Sequence, residues 1–214
     1  MIFYRTDAFI KQIDTSVVKA TKLFNVGICT SYNNAIYTPC TFSLTHEREL
    51  LFVNVWKEGT PVSISVTSDN AKITQFNNLF GSTGCDTIVC LIEGKIGQTV
   101  TITHTASYTY SCLARFAYYG KDEFSFIDQS RTNGQIWTIP ESGKMLIASN
   151  NWREGGRGEG TCTTESSASI TLLNYIDSIN YTRTKYWYVE GEPGNTVKVS
   201  FDGGYPYSVA LQMT

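Results

Sequence analysis

Glu49-Leu50-Leu51-Phe52-Val53-Asn54-Val55-Trp56-Lys57-Glu58-Gly59 is answered later in the chain by Met145-Leu146-Ile147-Ala148-Ser149-Asn150-Asn151-Trp152-Arg153-Glu154-Gly155. Leu, Asn, Trp, a basic residue, Glu and Gly fall in the same order in both. The separation, roughly 96 positions, is too long for a solenoid unit and natural for a small domain copied once. Within the first stretch Leu51, Val53 and Val55 alternate with Leu50, Phe52, Asn54 and Trp56. Both faces are largely apolar, the pattern of a strand covered on both sides or lying at an interface.

Four more blocks recur at nearly the same offset. Glu93-Gly94-Lys95-Ile96-Gly97-Gln98-Thr99-Val100-Thr101-Ile102 matches Glu190-Gly191-Glu192-Pro193-Gly194-Asn195-Thr196-Val197-Lys198-Val199. Tyr108-Thr109-Tyr110-Ser111 matches Tyr205-Pro206-Tyr207-Ser208, which sets Tyr110 against Tyr207. Ala71-Lys72-Ile73-Thr74 matches Ala168-Ser169-Ile170-Thr171, and Ile36-Tyr37-Thr38 matches Ile136-Trp137-Thr138. The order implies a tandem duplication: an N-terminal arm over 1–20, a first copy over 21–120 and a second over 121–214. On this alignment the first copy carries the longer Cys40–Arg48 segment, and the second a Gly-rich stretch, 154–160.

Between these blocks the chain reads as strand and turn. Val62–Thr67 and Val197–Phe201 alternate with period two, and Gly, Asn and Pro punctuate about every ten residues. No sustained helical period follows residue 20. The expectation is an all-β chain of two tandem antiparallel sandwiches, with seven or eight strands per copy. Jelly-roll-like and immunoglobulin-like orders are both open.

Composition narrows the function. The formal net charge is −2, and 17% of the 214 residues are charged. A nucleic-acid binder needs a basic face, so that class is excluded. No apolar run reaches membrane-spanning length, so no membrane partner is expected. Met1–Asp7 lacks the basic start and apolar core of a secretory signal, which points to folding in a cytoplasm. Of six cysteines, Cys29, Cys40, Cys85, Cys90 and Cys112 fall in the first copy and Cys162 in the second. A bridge framework would have been copied with its domain; reduced, buried thiols are expected, with Cys29–Cys40 the one candidate bridge.

No constellation of residues reads as catalytic, and nothing asks for a metal or a cofactor. His46 and His104 stand apart, and neither GxSxG nor HExxH occurs. The 154–160 stretch lacks the Gly-Lys-Ser/Thr ending of a phosphate loop. Glu58, Glu154, Glu93 and Glu190 recur beside turn glycines, where a solvated carboxylate is ordinary. Trp56, Trp152, Trp137 and Trp187 have two readings: filling of cores and interfaces, or a platform on which sugar rings stack. Phe3, Tyr4, Phe9, Ile10, Ile13, Val17 and Val18 make the arm apolar. An apolar arm outside a domain docks on its own domain or on a neighbour.

The Gly-punctuated runs Glu93–Ile102 (EGKIGQTVTI) and Tyr108–Ala114 (YTYSCLA), set in tandem sandwiches behind an arm, resemble virion proteins of tailed bacteriophages. These are decoration, head-fibre, neck and tail accessory proteins. The resemblance implies a non-enzymatic structural protein assembled in the host cytoplasm. Its partners would be other virion proteins and further copies of itself. The alternative is a carbohydrate-binding adhesion module that recognises a bacterial surface glycan.

Overall fold

The computed structural model describes residues 23–30, 40–57, 63–79, 84–104, 110–118, 123–152, 159–177 and 182–214. Every regular element among them is a strand, so none forms a helix long and apolar enough to cross a membrane. The first eight strands are β1 (Leu23–Thr30), β2 (Cys40–Ser43), β3 (Arg48–Lys57), β4 (Ile64–Ser68), β5 (Lys72–Gln75), β6 (Gly84–Glu93), β7 (Thr99–His104) and β8 (Tyr110–Tyr118). The next eight are β9 (Phe124–Ser130), β10 (Gln135–Thr138), β11 (Lys144–Trp152), β12 (Gly160–Thr164), β13 (Ser169–Asp177), β14 (Thr182–Glu190), β15 (Thr196–Phe201) and β16 (Tyr205–Met213).

They build four antiparallel sheets. A five-stranded sheet of order β1-β8-β3-β6-β5 faces a three-stranded sheet β2-β7-β4. The second half has the same plan, a five-stranded sheet in which β9, β16, β11, β14 and β13 lie side by side and a three-stranded β10-β15-β12. First strand beside last, with the third and sixth beyond, is the nested order of a jelly roll; an immunoglobulin sandwich keeps its first strand beside its second. The fifth strand of each half lies on the larger sheet.

The repeated turn blocks have a packing cause. Gly97 and Gly194 both take positive φ, 90° and 86°, where a side chain would be strained. Gly94 and Gly191 lie where an added Cβ would come within 2.8 Å of Ala71 and 2.9 Å of Ala168. The Glu-Gly turn and the Ala-x-Ile-Thr strand are therefore one contact, and neither block can drift alone.

Two of the sequence matches are corrected by register. Asn54 pairs with Cys112 and Asn150 with Tyr207, so the counterpart of Tyr110 is Tyr205, opposite Trp56 and Trp152 respectively. The Tyr-x-Tyr spacing let the match slip by two positions, which preserves the face of a strand and so leaves no trace in its alternation. Likewise Phe42, paired with Val100, holds the place of Trp137, paired with Val197. Tyr37 lies outside the described residues. With Phe42 in that place, Cys40–Arg48 is no longer than its counterpart Gln135–Lys144.

Three cores follow. One fills the first sandwich with Leu51, Val53, Val55, Ile88, Cys90 and Ile92 of the large sheet against Val100 and Ile102 of β7. A second fills the other sandwich, with Met145, Ile147, Trp187 and Val189 against Trp137, Val197, Val199 and Phe201. The third joins the halves: Leu50, Phe52, Trp56, Val89 and Phe116 of one large sheet meet Leu146, Tyr186, Tyr207, Val209 and Leu211 of the other. The layers thus run small sheet, large sheet, large sheet, small sheet. This is why β3 is apolar on both faces: each face belongs to a different core.

Candidate functional site

The four tryptophans separate into two places. Trp137 and Trp187 are buried in the core of the second sandwich. Trp56, only 4% exposed, stacks on Trp152 across the seam between the halves, with ring centroids 4.3 Å apart and planes 10° apart. Tyr205 closes the edge of this stack, 4.8 Å from Trp56 and 5.5 Å from Trp152. The rings stack on each other rather than presenting one open row to a sugar.

Behind the stack the seam is polar and ordered. Asn54 lies beside Thr87, and Asn150 beside Thr184. The Thr87 hydroxyl donates to Asn54 Oδ1 at 2.9 Å, and the Thr184 hydroxyl to Asn150 Oδ1 at 3.2 Å. Each amide then donates across to the other half: Asn54 Nδ2 to the Tyr186 hydroxyl at 2.6 Å, Asn150 Nδ2 to the Asp86 carbonyl at 3.3 Å. Tyr207 donates to the Thr87 carbonyl at 3.1 Å and accepts from Asn77 at 3.0 Å. Burial, with the Asp86 charge adding to it, holds the Tyr207 hydroxyl well above the ordinary phenol range, so it remains a donor. Arg131 of the second half reaches Asp86 of the first at 2.9 Å.

The halves diverge where they do not touch. In the first, Glu49 is fully buried and accepts from Arg115 Nε at 2.8 Å and Nη2 at 3.0 Å, while the Arg115 guanidinium lies 4.0 Å from the Phe42 ring. Register places Met145 and Ala210 at the matching positions of the second half. The reverse change occurs at the other end of the large sheets. Val53, Val55 and Ile88, all buried in the first core, are matched by Ser149, Asn151 and Lys185.

That substitution makes the mouth of the second sandwich polar. Lys185, Ser149 and Ser208 lie in one cross-strand row on β14, β11 and β16, and Arg183 and Asn151 in the next. Their faces are set by Trp187, Ile147 and Ala210, the inward residues one step before them. Glu159, just ahead of β12, caps the row. Lys185 Nζ lies 2.7 Å from its Oε1, and Arg183 Nη1 3.2 Å from its Oε2. The hydrogen bond and charge of Lys185 hold the Glu159 carboxyl below the ordinary glutamate range. Tyr175 and Leu172 of β13, 56% and 49% exposed, complete the wall of a cleft of about 320 Å³. A bulge between Leu172 and Asn174 brings Tyr175 opposite Lys185.

No protein-family model, curated protein or solved structure matches the chain.

The arm residues Phe3, Tyr4, Phe9, Ile10, Ile13, Val17 and Val18 lie outside the described residues, as do Glu58, Glu154 and most of the 154–160 stretch. Glu93 lies 3.3 Å from Arg48 Nε and 3.0 Å from Lys72 Nζ, and Glu190 accepts from the Tyr188 hydroxyl at 3.3 Å. His46 Nδ1 sits 2.9 Å from the Thr45 hydroxyl. Among the described residues no three His, Cys, Asp or Glu side chains are grouped to hold a metal. Cys90 and Cys162 are free thiols, both pushed by burial up to about 12. The side chains of Cys29 and Cys112 fall outside the described residues.

The polar mouth was missed in reading the sequence, although its signal was present. Val53-Asn54-Val55 against Ser149-Asn150-Asn151 shows, position by position, an inward face turning from apolar to polar.

Proposed function

We propose that this chain is a non-enzymatic structural protein that acts through protein–protein interfaces, as a component of a tailed-phage virion. The observation that carries the proposal is the third core. Two jelly rolls are joined face to face through aromatic and aliphatic side chains, so the chain is a rigid double block. Enzymes that work between domains need a hinge or an open cleft at the junction; here the junction is filled. A filled junction suits a part whose task is to hold its neighbours at fixed spacing. The tandem sandwiches, low charge and apolar N-terminal stretch support the same reading.

The arm supplies the attachment. Burying even half of its seven large apolar side chains would contribute several kcal/mol, at roughly 1.5–3 kcal/mol each before ordering costs. Deletion of residues 2–18 should leave the far-ultraviolet β signal unchanged and abolish incorporation into particles or oligomers. Electron microscopy of the purified assembly reads the outcome directly. A deletion variant that still assembles removes the arm from this role, and a full-length chain absent from any particle or oligomer overturns the proposal.

A further inference from the structure

We infer that the mouth of the second sandwich is a binding site for a neutral saccharide, with Tyr175, Glu159, Arg183 and Lys185 as its contacts. This goes beyond a structural role and assigns a ligand to one half of the chain only.

The first observation is the contrast between the halves. At matching register the first sandwich buries Val53, Val55 and Ile88, whereas the second has Ser149, Asn151 and Lys185 in their places, and Lys185 lines a charged cleft with Glu159 and Arg183. The same fold is stable with apolar residues there, so stability does not require the polar set. Asn151 and Ser208 are fully buried, yet Asn151 Oδ1 and Ser208 Oγ have no hydrogen-bond partner. Both lie in the cross-strand rows of Lys185 and Arg183, outside the lining of the cleft itself, and a row kept polar at that cost departs from the apolar packing of the first half.

The second observation is the chemistry of the lining. Glu159 offers two acceptor oxygens, and Arg183 and Lys185 offer donors around it. Asp202, whose carboxylate accepts from the Glu159 amide at 2.6 Å, adds a second negative group nearby. A simple anion would meet these carboxylates, and an apolar ligand would leave four charges undersolvated. Adjacent hydroxyls of a sugar can donate to the carboxylate and accept from the cations at once. Tyr175, 56% exposed beside Leu172, supplies a ring and an apolar edge for the C–H face of a pyranose. A cleft of about 320 Å³ lies at the small end of ligand sites. It suits one or two sugar rings at the end or side of a longer chain.

The test presents the full chain to an array of bacterial surface oligosaccharides and titrates the strongest hits by calorimetry. Tyr175→Ala and Glu159→Gln change exposed or half-exposed groups and should leave the fold intact. Each should weaken saccharide binding about tenfold or more. Ile136→Ser, at an exposed position on β10, should leave it unchanged. Both cleft variants should enter particles normally, which separates this inference from the structural proposal. A blank array, equal binding by wild type and both variants, or retention only of phosphate-bearing polymers would each overturn the inference.

Discussion

At the scale of single residues, the two halves provide internal controls for each other. Glu49 and Arg115 form a buried bidentate pair where the second half has Met145 and Ala210. Removing one member of such a pair strands a buried charge and costs about 3–5 kcal/mol, whereas replacing both with apolar groups of similar volume is far milder. Arg115→Met should therefore lose about 3–5 kcal/mol in urea unfolding, and Glu49→Met/Arg115→Met should recover more than half of that loss. Full recovery is not expected, because the Thr45 and His46 amides also donate to Glu49. Glu159 gives a pH signature. Its lowered carboxyl pKa means that its pairing with Lys185 is fully present above the ordinary glutamate value and lost as pH falls through the lowered one. Carboxyl NMR should find its midpoint below the ordinary range, and Lys185→Met should move it back up.

At the scale of elements, β3 and β11 are the strands on which the fold turns, and much of their role was legible. Two apolar faces in Leu50–Trp56 announced double coverage, and the Glu-Gly turns announced a repeated packing contact. What covers the second face was not legible, since alternation reports burial and not the partner. The register slip at Tyr110 had the same root, because a shift of two residues keeps each side chain on its face; the Ile36-Tyr37-Thr38 match fell five positions short of Phe42 on the strength of a three-residue likeness alone. The Trp56–Trp152 stack is the seam's most accessible reporter. Two indoles this close couple their transitions, so circular dichroism should show an exciton couplet that Trp56→Phe and Trp152→Phe each abolish. Loss in one variant only would place the rings apart. The thiols report on the layers. With Cys90 and Cys162 both at about 12, iodoacetamide at pH 8 should leave them unmodified in the native chain and alkylate them once it is unfolded. Rapid native modification of Cys90 would show the first core to be open.

At the scale of the whole molecule, two jelly rolls share one core and so fold as one unit. A half on its own would expose one face of a five-stranded sheet bearing Leu50, Phe52, Trp56 and Phe116, or Leu146, Tyr186, Val209 and Leu211. Such a patch is an aggregation surface. The most direct measurement is differential scanning calorimetry of the full chain. A shared core gives one transition, with equal calorimetric and van't Hoff enthalpies of about 150 kcal/mol near 60 °C for a chain of this length. Two transitions, or a van't Hoff enthalpy near half the calorimetric one, would show sandwiches that melt independently and would contradict the shared core.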